Sequence, residues 1–369
     1  MPMSIGDPIL ALGLMSGTSC DGIDAALLTT DGQSRVAFGP VLTEPYPDDF
    51  RQCLRGVLGG RGAVAEVGAE LTRRHADCVV RLLSRTGIEP SAVRVLGFHG
   101  QTILHEPAKR RTWQIGDGSL LARLTGIDTI SDFRSADVAA GGQGAPFVPL
   151  YHHALAQSLP RPLAVLNIGG VANVSFISAE EDSLVAFDTG PGNALIDDWA
   201  LRHTGRPVDE GGRLAASGRV DRKALASLMI HAYFDLPAPK SLDRDAFDPA
   251  AVSALNPADG AATLVAFTAA SVARARAILP AAPRQWLVTG GGRHNPALMA
   301  ALRAALGVPV EPVESVGWNG DALEAQAFAY LAVRSLAGLP LSLPMTTGVP
   351  RPMPGGRLDR ASPQPISVP

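Results

Sequence analysis

The carboxylate whose neighbours point most directly to chemistry is Asp188. It ends the apolar run 184–187 and opens Asp188-Thr189-Gly190-Pro191-Gly192-Asn193. A carboxylate at a strand end, beside a glycine turn that leads into a helix, projects into a cleft and suits a general base. A turn or helix-capping aspartate carries the same signature, and the residues alone do not choose. Glu324 falls in the first turn of the last expected helix. The helix dipole by itself favours a glutamate there, so its position does not require a role in a site.

Four glycine-rich segments follow expected strands: 13–22, 141–144, 188–193 and 290–292. Consecutive glycines let backbone N–H groups converge, and such concavities bind anions, phosphate above all. In the first segment Thr18 and Ser19 add hydroxyl donors. Neither G-x-x-x-x-G-K-[ST] nor a strand-following G-x-G-x-x-G is present, and the three lysines, Lys109, Lys223 and Lys240, rule out a lysine-centred phosphate loop.

His99 and Gln101, at the end of another expected strand, read as hydrogen-bonding groups for a polar ligand. His105 and Glu106 stand close by, but no third well-spaced ligand makes a metal set. Arg134 is placed to hold an anionic group, although an isolated arginine is more often a surface or ion-paired residue. His75 lies on or beside a helical apolar stripe and reads as structural.

The elements that must position these residues alternate as short strands and longer helices. Strands are expected over 9–14, 23–28 and 36–42, and an amphipathic helix over 63–85. Further strands are read at 93–98, 128–133, 163–168, 171–178, 184–187 and 286–289, with helices over 194–203, 261–279, 296–306 and 321–336. Both halves open with a strand, a glycine turn and a second strand. The chain therefore reads as a duplicated α/β domain with a cleft between the copies. The expected divisions are a first domain over 1–140 with the phosphate loop, a second over 141–340 with Asp188 and 290–292, and a proline-rich tail over 341–369 packed on the surface.

Composition agrees with this picture. At 369 residues the chain is long enough for two domains, and 46% hydrophobic with 18% charged residues supports packed interiors. A net charge of −3 argues against a broad nucleic-acid-binding face. Cys20, Cys53 and Cys78 match no zinc spacing and leave an odd thiol in any disulfide scheme. The run 8–15 is broken by Gly13 and lacks the flanks of a signal peptide or membrane span. A soluble, cytoplasmic protein is expected.

Several motifs occur in order along the chain: Gly13-Leu14-Met15-Ser16-Gly17-Thr18-Ser19 with Asp21-Gly22, His99-Gly100-Gln101-Thr102, Gln114-Ile115-Gly116, and Asp132-Phe133-Arg134 through Pro146. They continue with Leu166-Asn167-Ile168-Gly169-Gly170, Phe187-Asp188, Gly190-Pro191-Gly192-Asn193, Pro239-Lys240-Ser241, Gly290-Gly291-Gly292, and Glu324 with Ala327-Phe328-Ala329. Together they resemble the anhydro-N-acetylmuramic acid kinases, within the actin/hexokinase/Hsp70-like superfamily, from about residue 10 to 350. The sequence departs from the pattern at Cys20 (usually Leu), at Thr189 (often Cys), and at Leu242-Asp243-Arg244-Asp245, which replaces a more typical Thr-Gly-Arg-Glu.

The resemblance implies two duplicated RNase H-like ATPase domains and a kinase using ATP and Mg²⁺. The implied reaction opens 1,6-anhydro-N-acetylmuramic acid with water and phosphorylates O6, in cell-wall recycling. It implies Asp188 as the base with Glu324 in catalytic support. ATP would be held by Ser16, Gly17, Thr18, Ser19, Cys20, Asp21, Gly22 and Ile23, with Gly290, Gly291 and Gly292 near the adenosine. Magnesium would sit on nucleotide oxygens and water near Asp21. The sugar would meet His99, Gln101 and Arg134, the last at its lactyl carboxylate. A homodimer without nucleic-acid or membrane partners is also implied. Other readings are a superfamily kinase for another sugar or a carboxylate, a nucleotide-dependent binding protein, and a sugar hydrolase working without ATP.

Overall fold

In a computed structural model of the chain, residues 6–17, 19–178 and 184–361 are described. Those up to Gln157 and from Ala322 onward form one compact unit, and those of Ser158–Asp321 form the other. In chain order the strands are β1 (Ile9–Met15), β2 (Gly22–Thr30), β3 (Val36–Pro45), β4 (Val95–Phe98), β5 (Gln101–Glu106), β6 (Arg111–Ile115), β7 (Thr129–Ser131), β8 (Leu163–Ile168), β9 (Val171–Ile177), β10 (Leu184–Pro191), β11 (Trp286–Thr289), β12 (Val310–Pro312) and β13 (Arg357–Asp359).

The main sheet of the first unit runs β13-β7-β4-β1-β2-β3, and β5 with β6 makes a separate ribbon. The apolar strands β1 and β2 pair antiparallel from Ile9↔Thr30 to Met15↔Asp24, and the described residues 16, 17 and 19–21 lie in the connection between them. Strand β1 also pairs in parallel with β4, and Gly13 stands opposite Gly97. A Cβ at Gly13 would lie 1.8 Å from the Ala325 carbonyl oxygen, and one at Gly97 would lie 2.0 Å from that of Phe328. Bare backbone at these two positions is what lets the helix Leu323–Leu336 lie directly on the sheet.

The expected amphipathic helix is present as Val64–Thr86 and buries Val67, Leu71, Cys78 and Leu82. His75 is buried with them, its Nδ1 donating to the Leu71 carbonyl at 2.8 Å. This is the structural histidine that the stripe suggested.

The sheet of the second unit runs β10-β9-β8-β11-β12. Strands β8, β9 and β10 pair antiparallel in succession, while β8–β11 and β11–β12 are parallel. The first unit repeats that pattern with β1, β2, β3, β4 and β7. Each unit thus carries an RNase H-like sheet, and the duplication expected from the two strand–glycine–strand openings is real.

Pro257–Ala275 is the core helix of the second unit, with Leu264, Phe267 and Val272 buried. Its extension Pro257–Ile278 is long and apolar enough to cross a membrane by length and composition, yet 61% of its most apolar window is buried inside the protein.

Three features differ from the sequence reading. The units divide at 157/158 and 321/322, where boundaries near 140 and 340 were expected, because the helix carrying Glu324 packs on β1 and β4. Residues 101–106 form a strand, paired with β6 apart from the main sheet. Strand β10 does not stop before Asp188 but continues to Pro191 across a register shift between Asp188 and Gly190. The described part of the tail packs on the first unit: β13 pairs with β7, and Thr347 Oγ1 donates to the Asp137 carboxylate at 2.6 Å.

Candidate functional site

In the first unit the loop after β1 is braced from below. Gln101 is fully buried, and its Oε1 accepts from Ser16 Oγ at 2.6 Å. Its Nε2 donates to the Gly17 carbonyl at 3.1 Å, while the Tyr46 hydroxyl donates to Ser16 Oγ at 3.0 Å. Gln101, which sequence reasoning put against a sugar, therefore spends its amide on the glycine loop.

The upper side of this loop is open. A Cβ at Gly17 would meet only Ser19 Oγ, at 3.5 Å, and the side chains of Ser19 and Asp21 are exposed. Ser19 Oγ donates to Asp21 Oδ1 at 2.8 Å. Cys20 takes a left-handed φ of 55° and turns its thiol inward, and Ile23 is buried in the core. Neither offers its side chain to a ligand, and the Cys20 N–H already donates to the Gly17 carbonyl at 3.1 Å. Gly22 is needed for strand packing, since a Cβ there would lie 2.4 Å from the Glu44 carbonyl oxygen. Thr18 lies outside the described residues.

Among the described residues no three His, Cys, Asp or Glu side chains gather as a metal cage. An exposed Asp21 carboxylate beside an open backbone fits a magnesium ion that keeps its waters and takes its remaining ligands from phosphate oxygens.

His99 and Arg134 come together in the same unit. Arg134 Nε donates to His99 Nε2 at 3.0 Å, and His99 Nδ1 donates to the Gly100 carbonyl at 2.8 Å. Burial and the adjacent guanidinium hold the His99 pKa well below its ordinary value, so the ring is a neutral acceptor. Burial lowers Arg134 to about 10, offset by Glu324 and Asp137, and it remains a cation at neutral pH. Glu324 thus belongs to the electrostatic surroundings of Arg134, a relation the helix-dipole argument did not reveal.

Arg134 also donates through Nη1 to the Gly144 carbonyl. Gly144 lies in the mid-chain glycine loop, which Asp137 organises: one carboxylate oxygen accepts from Gly144 N–H at 2.7 Å and the other from Thr347 Oγ1 at 2.6 Å. Sequence reasoning gave Asp137 no role. Its signal was its place inside the motif that runs from Asp132 to Pro146, four residues before Gly141.

In the second unit Asp188 sits in the bulge of β10, half-buried, with Oδ2 accepting from Leu242 N–H at 2.7 Å. Burial raises its pKa to about 7 despite that hydrogen bond. The helix-capping alternative is removed, because the N-cap of Ala194–Thr204 is Asn193. The altered segment after Ser241 reaches Asp188 through main-chain atoms of Leu242, so changes of side chain there leave this donor in place.

The three glycine turns of this unit converge. Gly192 and Asn193 donate backbone N–H groups to the carbonyls of Gly170 and Gly169 at 2.9 and 2.7 Å. Asn193 Nδ2 bonds the Ile168 carbonyl at 3.1 Å. A Cβ at Gly290 would lie 2.3 Å from Asn167 Oδ1, and one at Gly292 would lie 2.5 Å from Ile168 Cγ2. Gly291 faces open space apart from Asn193 Nδ2 at 3.6 Å. The result is a bare backbone surface at the ends of β8 and β11.

Residues 9–358 match the family described as anhydro-N-acetylmuramic acid kinase. A protein of that name from Paramagnetospirillum magneticum is 62% identical over 352 residues, covering 95% of this chain and 99% of that one. Another, from Rhodospirillum rubrum, is 59% identical over 353 residues, covering 94% and 93%. Among solved structures, the (R)-2-hydroxyglutaryl-CoA dehydratase component A from Acidaminococcus fermentans aligns at 14% identity with a TM-score of 0.49, covering 89% of this chain and 99% of that one.

Proposed function

The chain belongs to the anhydro-N-acetylmuramic acid kinase family, and from that premise we propose that it converts 1,6-anhydro-N-acetylmuramic acid, ATP and water into N-acetylmuramic acid 6-phosphate and ADP, in cell-wall recycling. The observation that carries the proposal is Asp188, a carboxylate raised to about 7 by burial and oriented by the Leu242 N–H. A base whose pKa lies near the working pH is best matched to taking a proton from water.

The chemistry asks for such a base. O6 of an anhydro sugar is an ether oxygen with no proton to lose, so it must be freed before it can accept a phosphoryl group. Water attacks the anomeric carbon while Asp188 accepts its proton. The C1–O6 bond breaks, its electron pair forms the new O6–P bond at the γ-phosphorus, and ADP leaves with the bridging oxygen.

The remaining assignments follow the same reading. Ser16, Gly17, Thr18, Ser19, Cys20, Asp21, Gly22 and Ile23 bind the phosphates, largely through backbone N–H groups. Gly290, Gly291 and Gly292 take the adenosine side. Mg²⁺, near Asp21, would neutralise charge on the phosphate oxygens. Arg134 pairs with the lactyl carboxylate, Glu324 and His99 orient Arg134, and Gln101 holds the phosphate loop in shape. A cytoplasmic homodimer completes the proposal.

The test is ADP release with this sugar, ATP and Mg²⁺, with the mass of the product recorded and Asp188→Asn alongside. A product heavier than the substrate by one phosphoryl group and one water, lost in Asp188→Asn, supports the reaction and the base. ATP binding without that product overturns the substrate assignment.

A further inference from the structure

Among the described residues β10 is an edge strand, so the backbone N–H and C=O groups on its outer side have no described strand to pair with. At Asp188 they are nevertheless satisfied. The N–H donates to the Lys240 carbonyl at 3.0 Å, and the C=O accepts from the Tyr233 hydroxyl at 2.6 Å. A third bond closes the circuit, because Lys240 Nζ donates to the Tyr233 carbonyl at 3.0 Å. Tyr233 and Lys240 are only 6% and 7% exposed. The ammonium lies 4.5 Å from the centre of the Tyr233 ring and 5.9 Å from that of Phe187, the residue just before Asp188.

An ammonium seldom leaves water for a single carbonyl and two aromatic faces without a structural return. Here the return is the shape of the segment that ends in Leu242, whose N–H meets the Asp188 carboxylate. Resting on the assignment of Asp188 as the base, we propose that Tyr233 and Lys240 are positioning residues for the proton-accepting step, locking the strand edge so that the carboxylate keeps one orientation and a water-poor surrounding. Neither touches a reacting atom in this scheme. The motif Pro239-Lys240-Ser241, which carried family likeness but no role, thereby acquires one.

Around the clamp, Lys240 faces Arg274 and Asp235, which pair with each other; Tyr233 faces Asp188 itself, and its N–H donates to His231 Nδ1 at 3.2 Å. Loosening the clamp admits water to the carboxylate and stabilises its ionised form, which moves the acid limb of the rate profile downward.

The experiment compares wild type, Tyr233→Phe, Lys240→Met and Asp188→Asn for kcat, KM for the sugar, and kcat against pH. Both clamp variants are expected to lose about tenfold in kcat with KM changed by less than about twofold. Their acid limb is expected to move down by about half a unit or more. Wild-type kcat and an unmoved limb in both variants overturn the proposal. So does a lowered melting temperature with the limb unmoved, which is what mere structural support produces. If Lys240→Met does not fold, Tyr233→Phe decides alone. Full activity in Asp188→Asn removes the base assignment and the clamp with it, an outcome distinct from a failure of the clamp alone.

Discussion

Arg134 Nε and His99 Nε2 lie 3.0 Å apart, so the arginine donates to a ring whose proton is held on Nδ1 by the Gly100 carbonyl. The imidazole, buried against Phe328 at 4.6 Å between ring centres, supports a guanidinium in place of acting as an acid or base. A histidine of lowered pKa is usually a candidate for proton transfer. Here the acceptor role consumes the only lone pair available.

His99→Phe should therefore act on binding. Removing the acceptor of a charge-assisted hydrogen bond costs about 1.5–3 kcal/mol. KM for the sugar should rise at least about tenfold while kcat changes by less than about threefold. Steady-state kinetics at saturating ATP checks this, and an unchanged KM would remove Arg134 from sugar binding.

The rate profile should carry the ionisation of Asp188. Its folded-state pKa of about 7 makes the carboxylate competent above that pH. kcat should fall about tenfold per pH unit below about 7. A flat profile down to pH 5 would contradict the base assignment.

Stability should move in the opposite sense. The pKa of Asp188 is raised from an ordinary 3.8 in the unfolded chain to about 7 in the fold, so between those values the folded protein binds the extra proton. The ionised carboxylate is thus a burden on the fold above about pH 7, and it is relieved as pH falls. Asp188→Asn, which keeps an acceptor for Leu242, should gain about 1–3 kcal/mol at pH 8. That gain should narrow by pH 5 in paired thermal melts.

Gly97→Ala tests the seat of the Glu324 helix. The added carbon would fall 2.0 Å from the Phe328 carbonyl oxygen, where backbone must give way. A loss of about 3 kcal/mol or more is expected, the upper end for overpacking. Gly126→Ala is the control: its φ is +70° and nothing lies within 4 Å, so only backbone strain is felt. It should cost about 1 kcal/mol.

Asp137 joins the glycine loop to Arg134 through Gly144, and the carboxylate is 1% exposed. Asp137→Ala strands two buried donors, Gly144 N–H and Thr347 Oγ1, at about 2–4 kcal/mol. Asp137→Asn, retaining one acceptor, should cost less and raise KM for the sugar less. Equal effects of the two substitutions would separate the loop from sugar binding.

The strands β1, β2, β8 and β9 were legible because apolar runs interrupted by glycine have a local cause, and their repetition announced the duplicated sheet. The helix Val64–Thr86 was legible for the same reason, its stripe being written in consecutive turns. Asp188 and the bare glycine turns could be picked out, since chemistry constrains residue type at fixed spacing.

What tertiary structure alone decided lies between residues far apart in the chain. The Leu242 N–H that orients Asp188 comes from 54 residues away, and the Tyr233 hydroxyl on its carbonyl from 45. Ser16 and Gln101, 85 residues apart, form one buried pair, and their spacing holds no hint of it. The return of Leu323–Leu336 to the first unit followed from two facing glycines that no periodicity marks. Burial also raised the pKa of Asp188 to about 7, and burial is a property of packing that a residue acquires only from its neighbours in space.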